Sequence, residues 1–225
     1  MIALRLAEAG ANVVVNYNES NQEAERTARE IKDLGVESIA IRADVSKAAE
    51  VSAMFAAVER RFRRLHILVN NAGIFFPAPW DELTENDWDR ILGVNLKGMF
   101  FCSQAAARLM MARKAGNIVN LTSLGGLQAW PSYAHYCSSK AAAIMLTRCL
   151  AKALAPHVRV NSVAPGTILF PKEKRTPKTN KIVRSTPLQK PGTPQDIAET
   201  VLFLLTRSDF ITGQVLAVDG GKSIP

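Results

Sequence analysis

Residues 65–73 read Leu-His-Ile-Leu-Val-Asn-Asn-Ala-Gly. The span 65–70 is apolar almost throughout. That is the composition of a strand buried on both faces, not of one that alternates between core and water. It ends abruptly in two amides, an alanine and a glycine, as a strand does where its carboxyl end opens onto a loop. A strand covered on both faces belongs to a parallel sheet with helices on either side.

Working outward, strand-like and helix-like segments alternate along the whole chain. Residues 1–9 have the pattern of an amphipathic helix, with Arg5 and Glu8 breaking any resemblance to a signal peptide. Residues 11–17 are β-branched and read as a strand, and 22–34 as a helix closed by Gly35. Residues 38–42 form the next strand, and Ser46 is placed to cap a helix running to 62, with Glu50 near its start. Downstream, Pro77 and Pro79 mark a loop before one long helix over 85–113. Strands follow at 116–121 and 158–163, separated by a helix over 133–154. The span 164–193 is loop-like, with Pro165, Pro171, Pro177, Pro187 and Pro191. A loop this long in a compact domain is expected to be a lid or binding element, assigned to 167–193. Pro194 opens a last helix to 206, and 214–218 is the last strand. This order predicts the α/β class: one domain over 1–225, with a doubly wound, Rossmann-like parallel sheet in three α/β/α layers.

The 225 residues, 48% of them hydrophobic, suffice for one well-filled core. No apolar run reaches the roughly 18 residues of a membrane span, so no membrane partner is expected. Cys102, Cys137 and Cys149 lack metal-type spacing and are expected as reduced thiols in a cytoplasmic protein. The net charge is +8, and its surplus is local. Lys172, Lys174, Arg175, Lys178, Lys181, Arg184 and Lys190 face one acid, Glu173, between Phe170 and Gly192. No nucleic-acid motif accompanies them, so a solvated or ligand-covering loop is the preferred reading.

Polar residues gather just after the strands: Asp44, Asn70-Asn71-Ala72-Gly73, Thr122-Ser123 and Pro165-Gly166. In doubly wound sheets ligands bind beyond these carboxyl ends. Tyr136 and Lys140 stand four apart and therefore share one face of their helix. An ammonium near a phenol lowers the phenol's pKa and readies it for proton transfer. By itself that spacing is common on exposed helices. Ser123 follows a strand thirteen residues before Tyr136, where its hydroxyl could hydrogen-bond a carbonyl or simply shape a turn. Asn95 is a polar residue inside an apolar helix, disfavoured by propensity, and so suited to a buried hydrogen-bonding task.

Asn70-Asn71-Ala72-Gly73, Asn95, Ser123, Tyr136-x-x-x-Lys140 and Pro165-Gly166, in this order and at these intervals, resemble the short-chain dehydrogenase/reductase family, over effectively the whole chain. The resemblance implies a nicotinamide-dependent oxidoreductase acting on an alcohol–carbonyl pair. It makes Tyr136 the proton donor in reduction. Lys140 lowers its pKa and binds the nicotinamide ribose, Ser123 holds the carbonyl, and Asn95 holds a water in a proton relay. It puts Asp44 and Val45 at the adenine, Asn70, Ala72 and Gly73 along the cofactor, and Pro165, Gly166 and Ile168 at the nicotinamide end. Metal is not implied. Leu124, Gly125, Trp130, Phe75, Phe76 and Phe170 are expected around the substrate.

Three departures stand out. The family pattern opens with a strand, placed in the middle of the sheet, and a Thr-Gly-x-x-x-Gly-x-Gly turn. The sequence starts at the helix that would follow them, so this chain is expected to bind cofactor poorly and to be unstable; a misassigned start or a trimmed chain is preferred over an evolved truncation. Tyr17 and Asn18 stand where NAD-preferring relatives carry an acid, which favours NADP, although Glu19 is close. Phe170 replaces a threonine common in relatives. Within the family the chain resembles 3-oxoacyl-acyl carrier protein reductases of fatty acid biosynthesis. An acidic carrier protein would suit the surplus of cations. A pteridine reductase-like enzyme, a sugar or steroid alcohol dehydrogenase, and a catalytically silent scaffold are the alternatives. A homotetramer or homodimer is implied, built on the helices around 95–113 and 133–154.

Overall fold

The computed structural model describes residues 1–170, 173 and 176–224, apart from the Lys178 side chain. Lys172, Lys174 and Arg175 of the expected basic lid lie outside the described residues. Among the described residues there are six parallel strands, β1 (Val13–Tyr17), β2 (Ser38–Arg42), β3 (Ile67–Asn70), β4 (Gly116–Leu121), β5 (Val158–Pro165) and β6 (Val215–Val218). They form a pair, β1-β2, and a four-stranded sheet in the order β3-β4-β5-β6. Among the described residues the two sheets share no strand pairing.

The two sheets nevertheless share both covering layers. On one side, Val51, Met54 and Phe55 of α3 (Ala48–Phe62) meet Cys102, Ala106 and Met110 of α5 (Met99–Met111), over Ile118 and Val160, with Ile41 and Leu68 packed against them. On the other, Leu6 of α1 (Ile2–Glu8) meets Ile197, Val201 and Leu204 of α8 (Pro194–Thr206), over Val119 and Val163, with Val13, Ile67 and Val69 alongside. Leu68 thus points to one layer and its neighbours Ile67 and Val69 to the other. This is the period-two alternation of a strand whose two faces are both apolar.

The remaining helices are α2 (Asn21–Asp33), α4 (Glu85–Leu92), α6 (Ala134–Leu154) and α7 (Pro177–Arg184). Three local expectations are corrected. The helix expected over 85–113 is interrupted by a π-helical segment, Gly93–Gly98, between α4 and α5. Ser46 does not cap α3: its hydroxyl donates to Asp44 Oδ1 at 2.7 Å and Lys47 takes the cap position. The loop over 164–193 contains α7, because Thr176 accepts from the Thr179 N–H at 3.1 Å and Pro177 fits a first helical turn. The last helix opens at Pro194 as read, and Thr193 and Asp196 form a reciprocal capping box around it.

Candidate active site

Asn70 ends β3, Ser123 follows β4 and Pro165 ends β5, so all three lie at carboxyl ends of strands. Asn95, wholly buried, sits in the π-helical segment. Its Oδ1 accepts from the Ile74 N–H at 2.8 Å, and its Nδ2 donates to the Ile74 carbonyl at 3.1 Å and to Ser139 Oγ at 3.2 Å. Ser139 in turn donates to the Tyr136 carbonyl at 2.7 Å. The widened turn of a π-helix is the device that turns Asn95 inward. The amide that the resemblance gives to a bound water thus already clamps the loop after β3 onto the helix that carries Tyr136.

Ser123 is buried at the end of β4, and its Oγ accepts from the Gly125 N–H at 3.0 Å. That leaves its own proton free to point elsewhere, and the Ser123 side chain acts as a hydrogen-bonding neighbour of the Tyr136 phenol. Gly125 and Gly126 make this closeness possible. A Cβ on Gly125 would lie 2.9 Å from the Trp130 ring and 3.2 Å from the Tyr136 ring. One on Gly126 would lie 2.8 Å from the Lys140 backbone.

Lys140 is 5% exposed, and its Nζ donates to the Leu121 carbonyl at 2.9 Å while lying 5.8 Å from the centre of the Tyr136 ring. Burial lowers its pKa to about 8. The expectation that the lysine lowers the phenol's pKa is corrected. Burial raises the Tyr136 pKa, and the hydrogen bond with Ser123 opposes that rise only in part. The physical reason is desolvation of the phenolate in an enclosed, largely aromatic setting.

The cofactor candidates fall into two groups. Gly73 is exposed, and a Cβ there would stand 3.3 Å from Asn95 Oδ1 and 3.6 Å from Lys140 Nζ. The bare backbone thus leaves the ammonium approachable, and an ammonium has three N–H bonds, so after Leu121 two can serve a ribose hydroxyl. Ala72 is exposed beside it, while Asn70 is turned inward. Gly166 donates to the Val218 carbonyl at 2.9 Å, and Ile168 bridges to Gly192. Gly73, Lys140, Gly166 and Ile168 are the residues that would hold a nicotinamide cofactor, which would supply hydride chemistry there. At the far side, Asp44 accepts from the Ser46 hydroxyl and N–H, and the Ser46 hydroxyl is the main cause of its lowered pKa. Val45 is buried with its side chain in the core. Tyr17 pairs in register with Arg42, whose Nε donates to the Asn18 carbonyl at 3.1 Å.

The description matching residues 1–223 is that of enoyl-(acyl carrier protein) reductase, a model within the short-chain dehydrogenases. The chain belongs to the short-chain dehydrogenase/reductase family. It is 42% identical over 224 residues to a 3-oxoacyl-acyl-carrier-protein reductase of Staphylococcus epidermidis, covering 98% of this chain and 92% of that one. A 3-oxoacyl-acyl-carrier-protein reductase of Synechocystis is 39% identical over 222 residues, covering 97% and 90%. Among solved structures, a gluconate 5-dehydrogenase of Burkholderia cenocepacia in complex with NADP and tartrate matches with a TM-score of 0.91 at 34% identity, covering 99% of this chain and 89% of that one. An acetoin dehydrogenase of Salmonella typhimurium matches at 0.90 and 32%, covering 98% and 89%. The chain is therefore an oxidoreductase of a family that uses a nicotinamide cofactor. Among the described residues, no helix is long and apolar enough to cross a membrane.

For this family member the structure also shows supporting residues that the sequence reading passed over. Asn70 Nδ2 donates to Ser103 Oγ at 2.9 Å and to Asn120 Oδ1 at 2.8 Å, and Asn120 Nδ2 donates to Thr147 Oγ1 at 2.9 Å. This chain of buried polar groups pins β3, β4, α5 and α6 together beneath the site. Two signals were present: an asparagine inside an apolar strand, and Thr147 eleven positions after Tyr136, on the same helix face. The aromatic residues divide. Phe75 and Trp130 stand beside Tyr136. Phe76 turns away to His135 and Arg90. Phe170 is 64% exposed, and its N–H donates to the Glu173 carboxylate.

Proposed function

We propose that the protein is an NADP-preferring carbonyl reductase, converting a 3-oxo compound to its alcohol with Tyr136 as the acid. The observation that carries this reading is the convergence of Ser123, Tyr136, Lys140 and Asn95 at the carboxyl ends of the strands. A bound nicotinamide supplies the hydride. Ser123 and Tyr136 together hold the carbonyl oxygen and stabilise the negative charge that develops on it. Burial raises the Tyr136 pKa, and the protonated phenol is the form that can give its proton to that oxygen. Lys140 would hold the ribose, its ammonium steadying the phenolate left on Tyr136 until solvent returns the proton, and Asn95 keeps the loop after β3 in register with α6.

Preference for NADP is supported by the lack of an acid at Tyr17-Asn18 and by the Arg42 guanidinium held at Asn18. A guanidinium suits a ribose phosphate. A carrier-bound 3-oxoacyl substrate is supported by the names of the relatives and by α7, which carries Lys181 and Arg184 exposed and no acid. Exposed Phe100 and Met111 on α5 and Met145 on α6 support assembly through these helices into a dimer or tetramer.

The test is ketone-dependent oxidation of NADPH, using ethyl acetoacetate and acetoacetyl thioesters, with Tyr136→Phe beside the wild type. Loss of kcat by about 10²-fold or more at unchanged fold is expected. Full turnover by Tyr136→Phe would remove the phenol from the mechanism. NADPH binding without turnover by the wild type would favour the silent-scaffold alternative.

A further inference from the structure

The space in front of the Tyr136 phenol is walled by rings drawn from separate parts of the chain. Phe75 comes from the loop after β3, and Trp130 and Tyr133 from the turn entering α6. Phe75 stacks face to face on Tyr133, with centroids 4.6 Å apart and planes 1° from parallel. It presents its edge to Tyr136 at 4.7 Å and to Trp130 at 6.5 Å. Trp130 lies almost parallel to Tyr136, 6.2 Å away and 11° from coplanar orientation, where the missing side chain of Gly125 admits it. Phe75 is 55% exposed, so a large part of a phenyl ring stays in water although it belongs to a cluster that could have buried it. An exposed apolar ring adjoining a proton-donating group is surface kept available for a ligand. Lys140 Nζ lies 5.8 Å from the centre of the Tyr136 ring, and Arg90 is held over Phe76.

We propose that Phe75, with Trp130 and Tyr133, forms an aromatic clamp on the substrate side of Tyr136 that selects 3-oxo compounds whose ketone carries an aryl or conjugated planar group, with Phe75 as the specificity-determining residue. This rests on the carbonyl-reductase reading above and narrows its substrate class. Ring faces and edges at right angles offer a flat substituent both stacked and edge-on contacts. A flexible alkyl group gains only area there and loses rotamer freedom.

The experiment compares ethyl benzoylacetate with ethyl acetoacetate, two 3-oxo esters that differ in the group on the ketone. With NADPH, the wild type is expected to favour the benzoyl ester in kcat/KM by about tenfold or more. In Phe75→Ala that ratio should fall by about tenfold, mainly through the KM for the benzoyl ester. Phe75→Leu, which keeps apolar bulk but no ring, should lower the ratio in the same direction, and it stands in should the alanine variant fold poorly. An unchanged ratio, or an equal loss on both esters, would overturn the clamp. If the wild type reduces neither ester, the carbonyl-reductase reading fails, and the clamp is then decided by calorimetric binding of 1-tetralone. Binding weakened by about tenfold in Phe75→Ala supports it; no binding, or equal binding, overturns it.

Discussion

Lys140 is moored through its Nζ to the carbonyl oxygen of Leu121, 2.9 Å away, at the end of β4. The ammonium is therefore tied to the sheet, and the helix that carries it is held in register with the strand leading into Ser123. The arrangement binds the proton donor, its hydroxyl partner and the cation to one another through the backbone. The cost is desolvation of a charge, which is why its pKa falls to about 8.

That value sets a pH dependence with two parts of opposite sign. The ammonium is lost as pH rises through about 8, so kcat/KM for ketone reduction should fall above it. Stability should move the other way. The unfolded lysine holds its proton up to its ordinary 10.5 and the folded one only to about 8. Between these values the unfolded chain binds more protons, and this group's contribution to stability grows with pH. Rate profiles and urea titrations at matched pH would check both parts. Activity that stays flat across the window would exclude Lys140 as the controlling group.

Arg42 should matter to one cofactor more than the other. Arg42→Ala is expected to raise the KM for NADPH about five- to tenfold while moving that for NADH about twofold or less. Steady-state kinetics with both cofactors at saturating ketone would show it. Equal effects on both would leave the guanidinium with a purely structural part at Asn18.

Gly98 closes the π-helical segment against Val45, where a Cβ would come within 2.9 Å of both the Val45 side chain and its carbonyl oxygen. The second of these is backbone and cannot turn aside. Gly98→Ala should cost about 1–3 kcal/mol of stability, as overpacking does. A urea midpoint unchanged from wild type would show that α5 can shift without penalty.

Thr147→Val removes the hydroxyl that receives Asn120 Nδ2 inside the core. An orphaned buried donor costs about 1–3 kcal/mol, and Thr147→Ser should restore most of it. Thermal melts of the three proteins make the comparison. If the serine variant is no better than valine, the loss comes from packing and not from the hydrogen bond.

The alternation of apolar strands and periodic helices was legible from one-dimensional patterns, because burial on both faces leaves strands mostly apolar. The polar clusters after Val69, Leu121 and Ala164 were legible for the same reason: each breaks an apolar run at a strand end. Local signals failed where a neighbouring side chain competed for the same group: Asp44, two residues away, took the Ser46 hydroxyl from the start of α3. The turn at Thr176 and Pro177 made a helix of a proline-rich span.

Spacing by itself determined that Tyr136 and Lys140 share one face of a helix, since helix faces repeat every 3.6 residues; that Asn95 and Ser123 belong with them was implied by the family resemblance. Only the tertiary structure decided what their meeting does to them. The neighbours of a buried phenol come from distant segments, and desolvation depends on all of them at once. Hence Tyr136 is pushed up where the Tyr136–Lys140 spacing alone pointed down, and Phe75 stands over it while Phe76 turns away.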